Sequence, residues 1–195
     1  MKKLILLAAL ALTSCATTPP APVVAPAQHQ ADIAQWFAAH PEWGMNGRVA
    51  VNAPTGSGSG SLEWVTLKDG FTATISAPIT RQSWKLTSRA GSDAMIEGLS
   101  GGPRTGSSAQ ALLQEVTGWN IPLAQLQNWM KGLAPSNVTR DPRTGLPQRF
   151  VDGEWTVTYE EWSHAEGDVP VLPKRISATK SSDTRVRLII DTWNP

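Results

Sequence analysis

Polar and apolar positions change period three times along the chain, and each change predicts a new kind of element. Over residues 32–40, Ile33, Trp36 and Phe37 fall on one face of a helix, and Pro41 helps to end it. From Gly47 the period drops to two, with Val49 and Val51 on one face of a strand and Arg48 and Ala50 on the other. The Gly/Ser stretch 55–61 offers no apolar position and predicts a flexible hairpin loop. Alternation resumes over 62–67 (Leu62, Trp64), 71–77 (Phe71, Ala73, Ile75), 82–88 (Trp84, Leu86) and 93–99. The links 68–70, 78–81 and 89–92 are too short for parallel crossovers, which take roughly a dozen residues, so an antiparallel meander is expected.

The helical period then returns. Ser107 or Ser108 can cap a helix running to Val116, with Leu112, Leu113 and Val116 as its apolar face and Gly118 past its end. Pro122 suits the opening of a second helix, 123–131, stopped by Gly132; Leu123, Leu126, Trp129 and Met130 share its buried face. Residues 134–147 read as loop. Strands resume at 148–151 and 154–162 around the hairpin pair Asp152-Gly153. Two more follow at 174–180 and 185–193, and in the last Val186, Leu188 and Ile190 alternate with Arg185, Arg187 and Ile189. Two short helices set between runs of antiparallel strands predict an α+β fold, mainly antiparallel β. Its expected form is an unclosed half-barrel whose concave face the short helices cover. No period of roughly 20–50 residues repeats, which excludes a solenoid.

The N-terminus obeys a different rule. Lys2 and Lys3 precede an apolar run from Leu4 to Leu12, long enough for a signal peptide and short of the roughly 20 residues a membrane span needs. The run ends in Leu12-Thr13-Ser14-Cys15, which has the form of a bacterial lipobox. Cys15 is the only cysteine, so no disulfide can form within the chain, and its place at the cleavage position predicts lipidation. Residues 1–14 are thus expected to be a lipoprotein signal and 15–31 a lipidated terminus with a Pro/Ala-rich linker. Residues 32–195 are expected to form a single domain. The linker's polyproline-like character would let it reach roughly 40 Å at about 3.1 Å per residue.

Without the signal, 15 Lys and Arg face 16 Asp and Glu, a near-neutral balance that argues against a nucleic-acid partner. Nine Trp against one Tyr and three Phe is an uncommon aromatic set, and each indole N–H wants an acceptor when buried. Candidate chemistry is sparse. His29, His40 and His164 have no companions at zinc spacing, so neither metal nor cofactor is expected. Gly56-Ser57-Gly58-Ser59-Gly60 has the wrong phase for a nucleophile elbow and lacks the Lys of a phosphate loop. Glu160 and Glu161 are neighbours in a strand and point to opposite faces. No catalytic set emerges, and an enzyme is not expected.

Several segments, taken in order, resemble a known family. They are Trp43-x-x-x-Gly47-Arg48-Val49-Ala50-Val51, Leu62-x-Trp64 and Ala77-Pro78-Ile79. Next comes Gly118-x-x-Ile121-Pro122-Leu123-x-x-Leu126-x-x-Trp129-Met130-x-Gly132. Trp155-x-Val157-x-Tyr159, Leu172-Pro173 and Arg187-Leu188-Ile189-Ile190-Asp191-x-Trp193 complete the set. Together with the lipobox these are similar to the LolB family of outer-membrane lipoproteins. The resemblance implies an internal hydrophobic cavity within the half-barrel and a protein that accepts lipoproteins from a LolA-like periplasmic carrier. Triacylated cargo and outer-membrane phospholipid would be its other partners, and a monomer is expected. Its implied place is the outer membrane of a Gram-negative bacterium, lipid-anchored and facing the periplasm, consistent with Ala16 after the lipidated cysteine.

The family also places an apolar residue at the tip of a hairpin that meets the membrane. Pro78 and Ile79 match that loop, although Thr80 stands where the family usually has Gly. For the acyl-chain cavity, the candidates on the first strands are Trp64, Ile75, Trp84, Leu86 and Ile96. From the helices come Leu113, Leu126, Trp129 and Met130, and from the later strands Trp155, Val157, Leu188 and Ile190. A tethered envelope hydrolase and a structural lipoprotein with a solid core are the alternatives.

Overall fold

The structure, a computed structural model, describes residues 25–77, 82–181 and 183–195. Cys15, Pro78 and Ile79 lie outside them. In order, the elements begin with α1 (Pro26–Ala39), β1 (Trp43–Ala53), β2 (Gly56–Leu67), β3 (Gly70–Ala77) and β4 (Gln82–Arg89). There follow β5 (Ala94–Glu97), β6 (Arg104–Gly106), α2 (Ala109–Thr117), α3 (Leu123–Lys131) and β7 (Thr139–Arg140). The chain ends with β8 (Pro147–Asp152), β9 (Trp155–Trp162), β10 (Pro173–Lys180) and β11 (Thr184–Asn194).

All the strands form one 11-stranded antiparallel sheet in the order β6-β5-β4-β3-β2-β1-β11-β10-β9-β8-β7. Two meanders therefore meet where β1 pairs with β11, Val49 opposite Leu188 and Val51 opposite Val186. The edges β6 and β7 do not pair with each other, so the sheet stays unclosed. The segment carrying α2 and α3 runs from one edge strand to the other. The α+β half-barrel predicted by periodicity is the fold observed.

Alternation decides which face is buried. Val49 and Val51 point inward from β1, Trp155, Val157 and Tyr159 from β9, and Val186, Leu188 and Ile190 from β11. Arg48, Arg185 and Arg187 are exposed between them. Both short helices end as expected, with Gly118 (φ 75°) and Gly132 (φ 80°) in the left-handed conformation. Ser108 caps α2, its hydroxyl accepting from the Ala111 amide at 3.4 Å.

Three expectations need correction. The Gly/Ser stretch 55–61 is not a flexible loop: from Gly56 it is the first half of β2, paired with β1 from Ala53 opposite Gly56. Its missing side chains leave room for a distant ring, since a Cβ on Gly58 would lie 2.5 Å from Cζ2 of Trp119. Helix α1 begins at Pro26 rather than at 32, and takes up residues that composition assigns to the linker. Its buried positions His29, Ile33, Trp36 and Phe37 follow the i, i+4, i+7, i+8 stripe of one helix face. Finally, β6 and β7 fall in stretches read as irregular.

Several indoles find acceptors. Trp64 Nε1 donates to Thr66 Oγ1 at 3.1 Å while its ring stacks on Phe71 at 4.4 Å. Trp162 Nε1 donates to the Pro147 carbonyl at 3.0 Å. Beside α1, the Lys131 ammonium lies 5.4 Å from the ring centre of Phe37 and 5.6 Å from that of Trp43, and burial lowers its pKa.

Candidate functional site

Beneath α2 and α3 lies a small hollow of about 40 Å³. Val49 and Val51 (β1), Leu62 and Trp64 (β2), and Ala73 and Ile75 (β3) form part of its wall. Trp84 and Leu86 come from β4, Val186 and Leu188 from β11, and Leu113, Leu123 and Leu126 from the helices. Trp119 and Ile121, in the link between the helices, complete it. Five strands thus curve around one space, and every lining residue is apolar. Such a wall offers a guest dispersion and release from water, and no directional hydrogen bonding.

Seven of the candidates named from sequence meet at this hollow: Trp64, Ile75, Trp84, Leu86, Leu113, Leu126 and Leu188. The other six, Ile96, Trp129, Met130, Trp155, Val157 and Ile190, are buried in the same continuous core but do not line it. Alternation predicts which face a side chain takes and says nothing about depth along the strand. Ile190 stands opposite Gly47, beyond Leu188 and Val49, and Trp129 packs on Trp155 at 5.7 Å. Val49, Val51, Leu62, Ala73, Leu123 and Val186 also line the hollow; their faces follow from the pattern but they were not named for the cavity, and Trp119 and Ile121, between two helices where no period operates, were missed altogether. The proline at 122 and the bare strand at Gly58 are the signals that could have placed them.

The two helices covering the hollow are held very differently. Helix α3 is tied by polar side chains at both ends. Trp129 Nε1 donates to Asp152 Oδ2 at 2.8 Å and Gln125 Nε2 to Asp152 Oδ1 at 3.0 Å. The Tyr159 hydroxyl donates to the Trp129 carbonyl at 3.1 Å, and burial with the nearby Asp152 charge holds that phenol un-ionised far above its ordinary range. Gln30 of α1 donates to the Gly132 carbonyl and accepts from the Ala134 amide, each at 3.1 Å.

Among the described residues helix α2 has two polar ties, one to β6 and one to the turn between β1 and β2, both exposed. Arg104 reaches Glu115 at 3.7 Å, and Thr55 Oγ1 donates to the Gly118 carbonyl at 2.7 Å. Otherwise it rests on apolar contact through Leu112 and Leu113. Exposed pairs of this kind contribute about 0–1 kcal/mol each.

Among the described residues no group of three or more His, Cys, Asp and Glu is placed to hold a metal ion, and no helix is long and apolar enough to cross a membrane.

Comparison with known proteins agrees with this architecture. The family described as "Outer membrane lipoprotein LolB" matches residues 41–193. The outer-membrane lipoprotein LolB of Xanthomonas campestris pv. campestris strain B100 is 38% identical over 204 aligned positions, covering 96% of this chain and 93% of its own. That of Xylella fastidiosa strain 9a5c is 35% identical, covering 82% of this chain and 74% of its own. Among solved structures, a DUF1329 family protein from Desulfovibrio piger aligns with a TM-score of 0.50 at 8% identity, over 87% of this chain and 92% of that one, a likeness of fold alone. With an apolar hollow enclosed by an unclosed sheet, and relatives matched over nearly its whole length, this chain belongs to the LolB family of outer-membrane lipoproteins.

Proposed function

We propose that this non-enzymatic lipoprotein receptor works by taking the acyl chains of a lipoprotein from a LolA-like periplasmic carrier into the hollow beneath α2 and α3, then releasing them into the outer membrane. The observation that carries the reading is the wall itself: five strands and two helices converge on one space with apolar side chains only. Hydrocarbon leaving water gains about 0.8 kcal/mol per CH₂, so three acyl chains cannot cross an aqueous compartment uncovered. A pocket without fixed polar groups serves any saturated chain, which suits a receptor for many cargoes.

At about 40 Å³ the hollow is closed to such a guest, because ligand pockets run roughly 300–1,000 Å³. Uptake therefore requires the helical cover to move. Lipidation at Cys15 would keep the domain at the membrane, and Ile79, next to Pro78 in the link between β3 and β4, would meet the bilayer during release. An apolar residue there would gain by leaving water for lipid.

The test is transfer in vitro. Purified protein receives a triacylated lipoprotein from its carrier complex, and vesicles of outer-membrane phospholipid are then added. Wild type should take up the cargo and pass it to vesicles; Ile79→Glu should take it up equally and fail to pass it on. A receptor that never acquires cargo rejects the reading, and an Ile79→Glu variant that delivers normally removes Ile79 from the mechanism.

A further inference from the structure

Outside the hollow, on the flank of α2 toward the β6 edge, the surface holds a second depression of about 290 Å³. Its inner wall is apolar, formed by Trp84, Leu99 and Val116, and its rim is polar, with Ser100, Arg104 and Glu115. Trp84 belongs to both spaces, one side of it facing the hollow and the other the groove. Val116 stands one helical turn past Leu113, which lines the hollow from the same helix. The partition between the two is formed by the Trp84 ring, which packs against Trp119 of the hollow at 6.3 Å.

We propose that this groove is the entry subsite, where the polar junction of a lipidated cysteine, its ester and amide carbonyls, rests against Arg104 while its acyl chains pass inward between α2 and Trp84. The inference depends on the acyl-binding role proposed above and adds a route and a recognition element to it. A triacylated cysteine is apolar along its chains and rich in hydrogen-bond acceptors where they join, and the groove has the same order from inside to outside. The Arg104 guanidinium offers several donors in a fixed plane. Its present partner, the Glu115 carboxylate, is 3.7 Å away, and the two side chains are 55% and 65% exposed. That pair is loose enough to exchange for carbonyl acceptors.

The ties of the two helices choose the route. Opening beside α3 would break four buried or half-buried hydrogen bonds to α1, β8 and β9. Opening beside α2 breaks the Arg104–Glu115 pair and the Thr55–Gly118 bond, both exposed to water that replaces them. Trp119, which follows α2 directly and lies against the bare strand at Gly58, would lose that contact when α2 moves.

The experiment locks each helix in turn in the full-length chain. Cysteines replace Arg104 and Glu115 in one variant, and Gln125 and Gly153 in another, the latter chosen because Gln125 reaches within 3.7 Å of where a Gly153 Cβ would sit. Each pair is joined by a short reductant-cleavable bis-thiosulfonate linker, and mass spectrometry confirms which residues are joined. The readout is binding of a dansyl-labelled triacylated lipopeptide. Measured against the same variant before linking, which sets aside the loss of Arg104 itself, the α2 link should weaken binding by about tenfold or more, reversed by reductant, because the competent open state is depopulated. The α3 link should leave binding unchanged against its own unlinked variant. Blocking by the α3 link, or free binding with α2 locked, overturns the route.

A second measurement isolates the polar contact. Arg104→Gln should weaken lipopeptide binding by roughly three- to tenfold and leave diphenylhexatriene, a hydrocarbon without carbonyls, unaffected. Equal effects on both probes, or none on either, overturn the role of Arg104. A wild-type chain that binds neither probe rejects the acyl-binding reading itself and this proposal with it.

Discussion

Asp152 holds two side chains of α3 at once, accepting from Gln125 and from the Trp129 indole. Trp129 is 1% exposed, so its N–H has no water to turn to if the carboxylate is lost. Leaving a buried donor unmade costs about 1–3 kcal/mol, more than an ordinary hydrogen bond contributes. Asp152→Ala should therefore destabilise the fold by about 2–3 kcal/mol in denaturant unfolding, and Asp152→Asn by less, since the amide keeps one acceptor. A change below about 0.5 kcal/mol in the alanine variant would show that the contact carries little. The same scale contains a pH-sensitive residue. His29 is buried with Nε2 donating to the Val171 carbonyl at 2.9 Å and Nδ1 facing the Gln30 amide, an arrangement that fits the neutral ring. Burial is the largest influence and lowers its pKa; the Val171 bond opposes it, Arg140 adds to it, and Asp32 opposes it. The unfolded chain thus takes up this proton at a higher pH than the native one does. Stability should fall as pH drops below about 6.5 and level off once the native ring also protonates. His29→Gln, which keeps a donor toward Val171, should flatten that slope in unfolding midpoints measured from pH 7 to 5; an unchanged slope would assign it to other groups.

At the scale of elements, what a sequence shows depends on whether an element's reasons are local. Helix α3 is legible because Pro122, the apolar stripe from Leu123 to Met130 and Gly132 all lie within its own residues. Strands β9 and β11 are legible for the same reason, their inward positions alternating without interruption. The first half of β2 is not. Gly58 serves Trp119, more than fifty residues away, and Gly60 the close approach of the Ser76 carbonyl in β3, contacts that only the fold brings together. Edge strands β6 and β7, with three and two residues, are too short to show any period. Helix α1 could have been read further back, because His29 continues the stripe of Ile33 and Trp36, but Pro, Ala and Gln around it resemble linker. As for the hollow, its wall was legible as inward-facing residues and its position along the strands was not. Gly58 gives a direct check. Gly58→Val adds a residue that suits a strand, yet its Cβ would meet the Trp119 ring at 2.5 Å. The Trp119 indole resonance should shift, and stability should fall by about 1–3 kcal/mol as the ring is displaced. An unmoved resonance would mean that β2, and not Trp119, gives way.

For the whole molecule, the cover over the hollow is a balance between closure and access. Closed, the domain keeps its apolar wall dry; open, it exposes that wall unless a guest fills it. A triacylated lipopeptide should then stabilise the fold in proportion to its binding. At a free concentration about 100 times its Kd the gain is about 2.7 kcal/mol, which for a chain of this size corresponds to a Tm rise of roughly 5–10 °C. No shift at saturating lipopeptide would mean that nothing enters the fold. The near-neutral charge and the exposed surface ion pairs contribute little to either state.

The two outermost strands are stubs of three and two residues; α2 packs along β5 and β6 at one rim, and α3 fastens to the end of β8, next to the other, through Asp152. A half-barrel can change its girth only because its rim is never sealed, yet an unsealed rim invites other chains to stitch onto it, most dangerously in a protein whose trade is handling greasy polypeptides. By keeping each outermost strand to two or three residues, the molecule shortens the ladder on which its own copies could polymerise while the rim stays free to breathe.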